Sequence, residues 1–384
     1  MTAARPRGRF APVLVAAGAM LPMTVTAQGV VDVRPTVTIT QLHDSNLLAA
    51  AAAPRADFIT RLTPSFDTGY RTPAMDMRAH YTFDAERYAN AVELSHVLAR
   101  QQAGFEVEHS PASRLSWRAA VGATRTWTPG ELLPETGLLL PRGRAIRLTA
   151  QSSLTRRLNM RTDGTIEYTL SDDRIEDGLS IQTHTAGLHT VRRLSPRTTT
   201  RVGYRAEWYE FGPDRLVASP STAAHSFAIG WTRALSPRTS LSLEAGPRLA
   251  ERRVRPDLRA SIQSTREAVT LSLAYLRTQT VVIGVARPVA VETVTGRIVW
   301  GSAHGPQAHV APGLFRSTAG AGRVDSYQVE IGLEWPIADT LALELMLDGH
   351  TQSGRLHAAP EGGTISRHTS LVRLAVRPPG RRSR

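Results

Sequence analysis

An alternation of apolar and polar residues with a period of two most restricts the fold of this chain. In residues 75–83 and 327–335 the odd-numbered positions are apolar or aromatic, apart from the small Ala79, and the even-numbered positions are polar, charged or glycine. Successive side chains point to opposite faces of a β-strand, so each segment has one apolar face and one polar face. The same alternation recurs along the chain, whereas helical periodicity is weak.

A soluble β-sandwich with one wet face would produce the same alternation. Three features favour a membrane barrel instead: long segments, many charges on the polar faces, and aromatic residues near segment ends, where a membrane interface would lie. These aromatic residues are Trp127, Trp208, Trp231, Trp300, Trp335, Tyr70 and Tyr88. The sequence therefore predicts an all-β fold, a transmembrane antiparallel up-and-down β-barrel.

The alternating segments number about 18, with 16 as the alternative because residues 88–97 and 255–290 alternate weakly. An even number leaves no open edge and places both termini in the periplasm. Short turns alternate with longer loops, and a Leu-Ser-Pro-Arg-Thr string that starts at Leu194 and at Leu235 provides two of the turns. We expect longer loops at 44–55, 128–143, 211–220, 250–256, 278–289, 318–323 and 353–363.

The stretch from Thr278 to Val291 is unusually apolar for a loop. It either folds inward as a constriction or extends the two flanking strands beyond the membrane, and we favour the extension.

The two ends of the chain differ from the alternating region. Residues 1–27 have a basic start and an apolar run that is short and contains Pro12 and Pro22, which favours a cleaved signal peptide over a membrane anchor. Cleavage is expected between Ala27 and Gln28, which leaves a barrel over 28–377 and a basic tail over 378–384. These features predict the cell outer membrane of a Gram-negative bacterium as the location.

The net charge is +13, and all of the 46 basic residues are arginine. The absence of lysine is typical of a GC-rich genome, but an arginine-rich surface that attracts anions is the functional alternative. Cysteine is absent, which excludes disulfides, thiolate metal sites and cysteine nucleophiles.

The alternation assigns a set of charged side chains to the inside of the barrel. They either neutralise one another in ion pairs or form an arginine track that binds carboxylates of anionic sugars. The candidates for contact with a solute in the lumen are Arg61, Arg78, Arg118, Arg147, Arg201, Arg205, Arg259, Arg373, Glu207, Glu330 and Glu344.

No motif of an enzyme is present, since both the Gly-x-Ser-x-Gly elbow and the His-Glu-x-x-His pattern are missing. We expect no catalytic residue, no metal and no cofactor. The arginines are spread along the strands and match no nucleic-acid-binding module, so nucleic acid is not an expected partner.

Several short strings resemble outer-membrane β-barrel porins associated with exopolysaccharide gene clusters. They are His43-Asp44-Ser45-Asn46-Leu47, Asp57-Phe58-Ile59-Thr60, Leu62-Thr63-Pro64, the strand from Tyr81 to Glu86-Arg87-Tyr88, and Arg316-Ser317-Thr318-Ala319-Gly320 before the Tyr327 strand. The resemblance implies export of an extracellular polysaccharide, with periplasmic export components as further partners beside the membrane lipid.

Three functional hypotheses follow. The first is a porin-like channel that exports a polysaccharide, or passes another polar solute, through a hydrated charged lumen. The second is a structural or adhesive barrel whose lumen is closed, and the third is a barrel hydrolase with distant His, Ser and acidic residues brought together at the rim.

Overall fold

The computed structural model describes residues 29–176, 178–212, 221–302, 305–356 and 363–376. The predicted signal peptide over 1–27 and the predicted basic tail over 378–384 lie outside these ranges.

The described residues form eighteen β-strands. Their bounds are β1 Val30–Asp44, β2 Asp57–Arg71, β3 Met75–Tyr88, β4 His96–Ala112, β5 Leu115–Thr126, β6 Ala145–Asn159, β7 Thr162–Ile175, β8 Ser180–Ser195, β9 Thr198–Phe211, β10 Thr222–Ser236, β11 Thr239–Ala250, β12 Arg253–Arg266, β13 Val269–Val281, β14 Pro288–Gly301, β15 Gln307–Ala319, β16 Gly322–Ala338, β17 Leu341–Arg355 and β18 Ile365–Val376.

The sheet closes on itself. Each strand pairs antiparallel with the next along the chain, and β18 pairs with β1 from Val37–Val376 to Asp44–Thr369. Closure gives the backbone N–H and C=O groups of both terminal strands a partner, which a sheet in hydrocarbon requires. The predicted barrel of 18 strands is confirmed, and the alternative of 16 is wrong because the weakly alternating region 255–290 still forms β12, β13 and the start of β14.

The two ends of the barrel differ in the length of their connections. One end carries short turns such as 113–114, 196–197 and 237–238, and we call it the short-turn end; β1 starts there and β18 ends there. The opposite end carries the longer connections 45–56, 89–95 and 127–144, and we call it the long-loop end.

Two loops predicted at the long-loop end are wrong. The chain reverses between β11 and β12 at Glu251-Arg252 and between β15 and β16 at Gly320-Ala321. Glu251, Arg252 and Gly320 adopt positive φ values of 52°, 62° and 60°, as tight hairpin turns require. Glu and Arg are not the residues that usually indicate a turn with positive φ values. The sequence therefore contained no sign of a tight turn at 251–252, and a longer loop was predicted over 250–256.

The outer face of the barrel is apolar over its middle. Ile331 is 47% exposed and Val121 is 53% exposed, although both lie inside strands, because their side chains point away from the lumen. Trp117, Trp231 and Trp335 lie on this face near the short-turn end. An apolar wall with aromatic residues at its edge is typical of a membrane-spanning barrel.

Two of the aromatic residues assigned to the interface lie elsewhere. Tyr88 faces the inside and is only 2% exposed. Trp127 follows the end of β5 and stacks on His96, with ring centroids 5.2 Å apart. Proximity to a strand end therefore did not establish which face an aromatic residue occupies.

The described helical segments are three short 3-10 turns, Val92–Leu94, Pro129–Leu132 and Pro134–Thr136. Among the described residues, no helix has the length and apolar character needed to cross a membrane.

Two neighbouring residues in the middle of β5 test which face contacts lipid. Val121 points outward, whereas Ala120 points into the lumen opposite Glu106. We expect Val121→Arg to lower the free energy of unfolding by about 2 to 4 kcal/mol, because it places a charge in hydrocarbon. Ala120→Arg should cost much less, since its charge meets water and a carboxylate. Urea unfolding in lipid vesicles measures both, and equal losses would contradict this assignment of faces.

Candidate functional site

The polar faces of the strands line the lumen. The register places all of the predicted contact residues on this inner face: Arg61 on β2, Arg78 on β3, Arg118 on β5, Arg147 on β6, Arg201, Arg205 and Glu207 on β9, Arg259 on β12, Glu330 on β16, Glu344 on β17 and Arg373 on β18. The structure distributes these residues around the wall rather than gathering them at one point.

The connection between β5 and β6, residues 127–144, folds into the barrel, and we call it the crossing loop. Its two 3-10 turns place Leu132, Leu133 and Leu138 among the most buried residues of the described chain. These side chains form an apolar cluster with Val289 and Val324 on the inner faces of β14 and β16. Burial of apolar side chains is what holds the loop inside the barrel.

Polar contacts fix the far side of the crossing loop. The Gln352 side chain on β17 accepts a hydrogen bond from the Leu139 N–H at 2.7 Å, and its amide donates to the Leu139 carbonyl at 3.3 Å. The His350 Nε2 lies 3.0 Å from the Gly137 carbonyl and 2.7 Å from the Ser326 hydroxyl. Gly137 has a φ of 56° and lies against the Phe315 ring, so both its backbone and the available space favour glycine.

Further contacts fix the near side of the crossing loop. Arg147 donates hydrogen bonds to the Leu132 carbonyl and, at 2.5 Å, to Asp173 on β7. Arg142 lies over the ring of Tyr88 on β3, with its guanidinium carbon 5.3 Å from the ring centroid. Contacts to β3, β6 and β14–β17 show that the loop spans the bore near the long-loop end.

For the apolar stretch at 278–291, the sequence predicted either an extension of the two flanking strands or an inward constriction, and the structure shows parts of both. β13 continues to Val281 and β14 starts at Pro288, so most of the stretch extends the strands as favoured. The tip, however, packs against the crossing loop, with Val282, Ile283 and Val285 buried in the same apolar cluster. The tip therefore contributes to the constriction that was the less favoured alternative.

One charged niche lies between the crossing loop and the wall of β1–β4. Arg61 contacts Glu86 at 2.7 Å and Asp84 at 3.7 Å, and Arg142 approaches Glu86 at 3.9 Å. On the adjoining strand β18, Arg367 contacts the buried Asp44 of β1 at 2.6 Å. In this niche the lumen charges neutralise one another in ion pairs, which was one of the two predicted alternatives.

A second charged niche lies on the opposite wall, on β7–β12. Arg201 approaches Glu244 at 3.9 Å and Arg205 approaches Glu207 at 4.0 Å, so both ion pairs are loose. Within the described residues, Arg259 has no carboxylate within 4.0 Å, although Asp257 and Glu244 line the same niche. Arginines in this niche retain more capacity to bind an anion than those beside the crossing loop.

Arg248 closes the second niche toward the long-loop end. Its side chain is 1% exposed, forms ion pairs with Glu207 and, at 3.5 Å, with Asp257, and donates hydrogen bonds to Tyr209 and Gln279. A buried charge with this many partners is held in place, and removing one partner would leave it uncompensated. The contacts of Glu207 therefore support a structural role in this network more strongly than the predicted contact with a solute.

The remaining predicted residues lie nearer the short-turn end. Arg78 contacts Asp76 at 2.8 Å, Arg118 contacts Glu106, and Arg373 contacts Glu344 at 2.9 Å. Glu330 lies 2.8 Å from His309 and 3.7 Å from Arg297.

An open cavity of about 1090 Å³ follows the inner wall of β1–β6 from the short-turn end to Arg147 beneath the crossing loop. Small residues such as Gly104, Ala120 and Gly122 line it and leave the bore wide there.

Sequence reasoning missed the residues that shape the lumen most, namely the crossing loop and its anchors. A signal was present in residues 132–140, which contain five leucines although the segment was assigned to an exposed loop. Apolar side chains in a long loop indicate that the loop packs against something. Gln352 and His350 gave no such signal, because nothing local in β17 distinguishes an anchor from any other lumen residue.

Two of the strings that carry the family resemblance hold loops at the long-loop end. The Asp57 carboxylate accepts hydrogen bonds from the N–H groups of Phe58, Asn90 and Ala91 and from the Asn90 amide. Asn46 binds the Ala50 backbone in both directions. These two residues therefore hold connections 45–56 and 89–95 in place at the end of the barrel.

The described residues contain no group of three His, Cys, Asp or Glu that could hold a metal. The Ser326–His350 pair has the geometry of a nucleophile and a base, but Ser326 is 1% and His350 7% exposed beneath the crossing loop. A substrate would not reach this pair in the structure as it stands.

No protein-family model and no curated protein matches the chain. Among solved structures, it is similar to the siderophore receptor PirA from Acinetobacter baumannii at 7% identity and a TM-score of 0.49, covering 90% of this chain and 80% of that one. It is also similar to OccK11 (OpdR) from Pseudomonas aeruginosa at 10% identity and a TM-score of 0.48, covering 90% and 96%. The siderophore receptor PirA from Pseudomonas aeruginosa has 9% identity and a TM-score of 0.47, covering 90% and 80%. Similarity this distant carries no argument about function.

The double hydrogen bond from Gln352 gives a test of how the crossing loop is held. In Gln352→Ala, the backbone N–H and C=O groups of Leu139 lose their hydrogen-bond partners. We expect the free energy of local unfolding of the crossing loop to fall by about 1 to 3 kcal/mol. Hydrogen exchange at residues 138–140 should accelerate while exchange in the strands stays unchanged. Gln328→Ala is the matched control, since Gln328 faces the lumen on β16 but bonds to Asp348 and not to the loop. Unchanged exchange in Gln352→Ala would show that the apolar cluster alone holds the loop.

Proposed function

We propose that this protein is an outer-membrane channel for charged or polar solutes, with its narrowest section where the crossing loop spans the bore. The observation that carries the proposal is the contrast between the two faces of one wall. The outer face is apolar, whereas the inner face carries charged side chains from the short-turn end to the crossing loop. Barrels of this strand number commonly enclose an aqueous channel.

The loosely paired arginines on β9 and β12 support a preference for anionic solutes at the second niche. Arg201 is 40% exposed, and Arg259 has no carboxylate within 4.0 Å among the described residues. Guanidinium groups in such a setting bind carboxylates and phosphates in a planar, bidentate manner. Weak contacts at several such points let a solute enter and leave, as conduction requires.

Export of an extracellular polysaccharide is the finer form of this proposal, and it rests on the family resemblance. A polymer needs a bore that stays open along its whole length, and the crossing loop occupies that path. Polysaccharide export therefore requires the loop to move aside, with periplasmic export components as the source of the force. Passage of small solutes around the loop needs no such movement, so the geometry favours it.

A structural or adhesive barrel with a closed lumen is the competing proposal, and the crossing loop is the observation that favours it. It differs from the channel in one measurable property, since a closed barrel does not conduct. We further propose that the barrel is not a hydrolase, which the burial of Ser326 and His350 supports.

Replacing residues 129–141 by a Gly-Ser-Gly linker tests the channel proposal. The Gly143 N–H donates to the Trp127 carbonyl at 3.0 Å, so the loop ends already lie together and a short linker can join them. In planar bilayers we expect the native barrel to conduct in small steps and the variant to conduct several-fold more. Native barrels that stay silent while the variant conducts would support a closed lumen instead.

Charge changes in the second niche test selectivity. Arg259→Gln should shift the reversal potential in a salt gradient toward cations, because it removes the least compensated positive charge. Glu244→Gln is the matched control in the same niche, and it should shift the potential toward anions. The two shifts should shrink as the salt concentration rises. Identical potentials in all three proteins would exclude this niche from the conduction path.

A further inference from the structure

Eight arginines cluster at the short-turn end of β4–β13, and we call this set the basic rim. Four lie on the outer face of alternate strands, and four lie in or beside the turns next to them. The basic rim comprises Arg156, Arg192, Arg233 and Arg266 on the strands, and Arg114, Arg161, Arg197 and Arg238 at the turns. All eight are exposed.

The basic rim is not neutralised by its surroundings. None of the eight side chains has a carboxylate within 4.0 Å among the described residues. The nearby acids are few: Asp163 lies 3.7 Å from Arg157, which is not part of the rim, and Glu267 lies in the turn after β12. This contrasts with the lumen, where most arginines have acidic partners.

The outward direction of the strand arginines indicates what they meet. Arg233 lies two residues beyond Trp231 on the outer face of β10, so it follows the aromatic edge of the apolar wall. Arginines at this depth extend along the apolar surface and place their charge among lipid head groups. Arg156, Arg192, Arg233 and Arg266 lie on every second strand, which spaces neighbours by about 10 Å along the wall.

Exposed leucines beyond the arginines give a second observation. β6, β8 and β10 each end with an arginine followed two positions later by a leucine on the same face: Leu158, Leu194 and Leu235, which are 56%, 50% and 47% exposed. The last two begin the repeated Leu-Ser-Pro-Arg-Thr string, whose arginines are Arg197 and Arg238 of the rim. Arginine and leucine together on an outward wall fit the boundary between head groups and acyl chains, and not open water.

We propose that the basic rim binds the phosphate groups of anionic phospholipids in the leaflet at the short-turn end. The guanidinium groups of the strand and turn arginines hold the phosphates, and the exposed leucines enter the acyl region beside them. Among the described residues, the rest of this end carries no arginine on its outer face, where Ile337 on β16 and Val376 on β18 are exposed apolar residues instead. Anionic lipid therefore collects on one half of the barrel, independently of what the lumen passes.

Brominated lipids, which quench tryptophan on contact, test the proposal. Two reporter forms of the full chain keep a single tryptophan, either Trp231 beside the rim or Trp335 on β16 away from it, with the other tryptophans changed to Phe. Each form is reconstituted in phosphatidylcholine vesicles containing brominated phosphatidylglycerol or, for comparison, brominated phosphatidylcholine. Each rim arginine is expected to favour association about fivefold at low salt. We expect Trp231 to be quenched preferentially by the brominated phosphatidylglycerol, and Trp335 to show no preference.

Changes to the rim separate charge from structure. Changing Arg156, Arg192, Arg233 and Arg266 together to Gln should abolish the preference at Trp231, whereas changing the same four to Lys should retain it. A control that removes equal charge from the lumen, with Arg78, Arg118, Arg201 and Arg259 changed to Gln, should also retain it. Heat-modifiable gel mobility checks that each variant is folded, and the Lys variant still tests the proposal if the Gln variant is not.

Two results would overturn the proposal. One is equal quenching of Trp231 by the two brominated lipids in the native rim. The other is a preference that survives both the Gln variant and molar salt, which would place the attraction elsewhere. Equal quenching combined with binding of a soluble polyanion, such as polyglutamate, would assign the rim to an acidic partner in the adjoining compartment.

Discussion

Backbone hydrogen bonding in a medium without water is the constraint on which the whole structure depends. A strand in hydrocarbon must pair on both sides, so the sheet has to close, and the pairing of β1 with β18 achieves this. Closure then divides each strand into a lipid face and a lumen face. The charged lumen, the apolar exterior and the outward direction of the four strand arginines of the basic rim follow from that division, because the parity of a position in a strand sets the face that its side chain occupies.

Within the closed wall, the crossing loop spans the bore near the long-loop end, and two charged niches lie on opposite walls. The loop is held against the wall of β14–β17 by an apolar cluster and by Gln352 and His350, and on the side of β3 and β6 by Arg142 and Arg147. Its leucines cannot remain in water without cost, so the loop gains stability by lying inside. Beside the loop, Arg61 and Arg367 form tight ion pairs and serve the structure. On the opposite wall, Arg201 has only looser contacts, so its charge is available to a solute.

The positive charge of the chain is distributed unevenly. Lumen arginines are mostly matched by acids, whereas the arginines of the basic rim are not, so much of the excess charge lies on the outer surface near the short turns. A charge placed there interacts with lipid and not with the solute in the channel. The high net charge therefore does not by itself describe the selectivity of the lumen.

The sequence alone determined the barrel and most of its strands, because alternation with a period of two survives any change in tertiary context. It also determined that residues such as Arg201 and Glu330 face inward, since parity fixes the face. The tertiary structure decided which connections are tight turns, where the loop after β5 goes, and which charges pair. Those outcomes depend on residues far apart in the chain, such as Leu139 and Gln352, and local pattern carries no information about contacts across the bore.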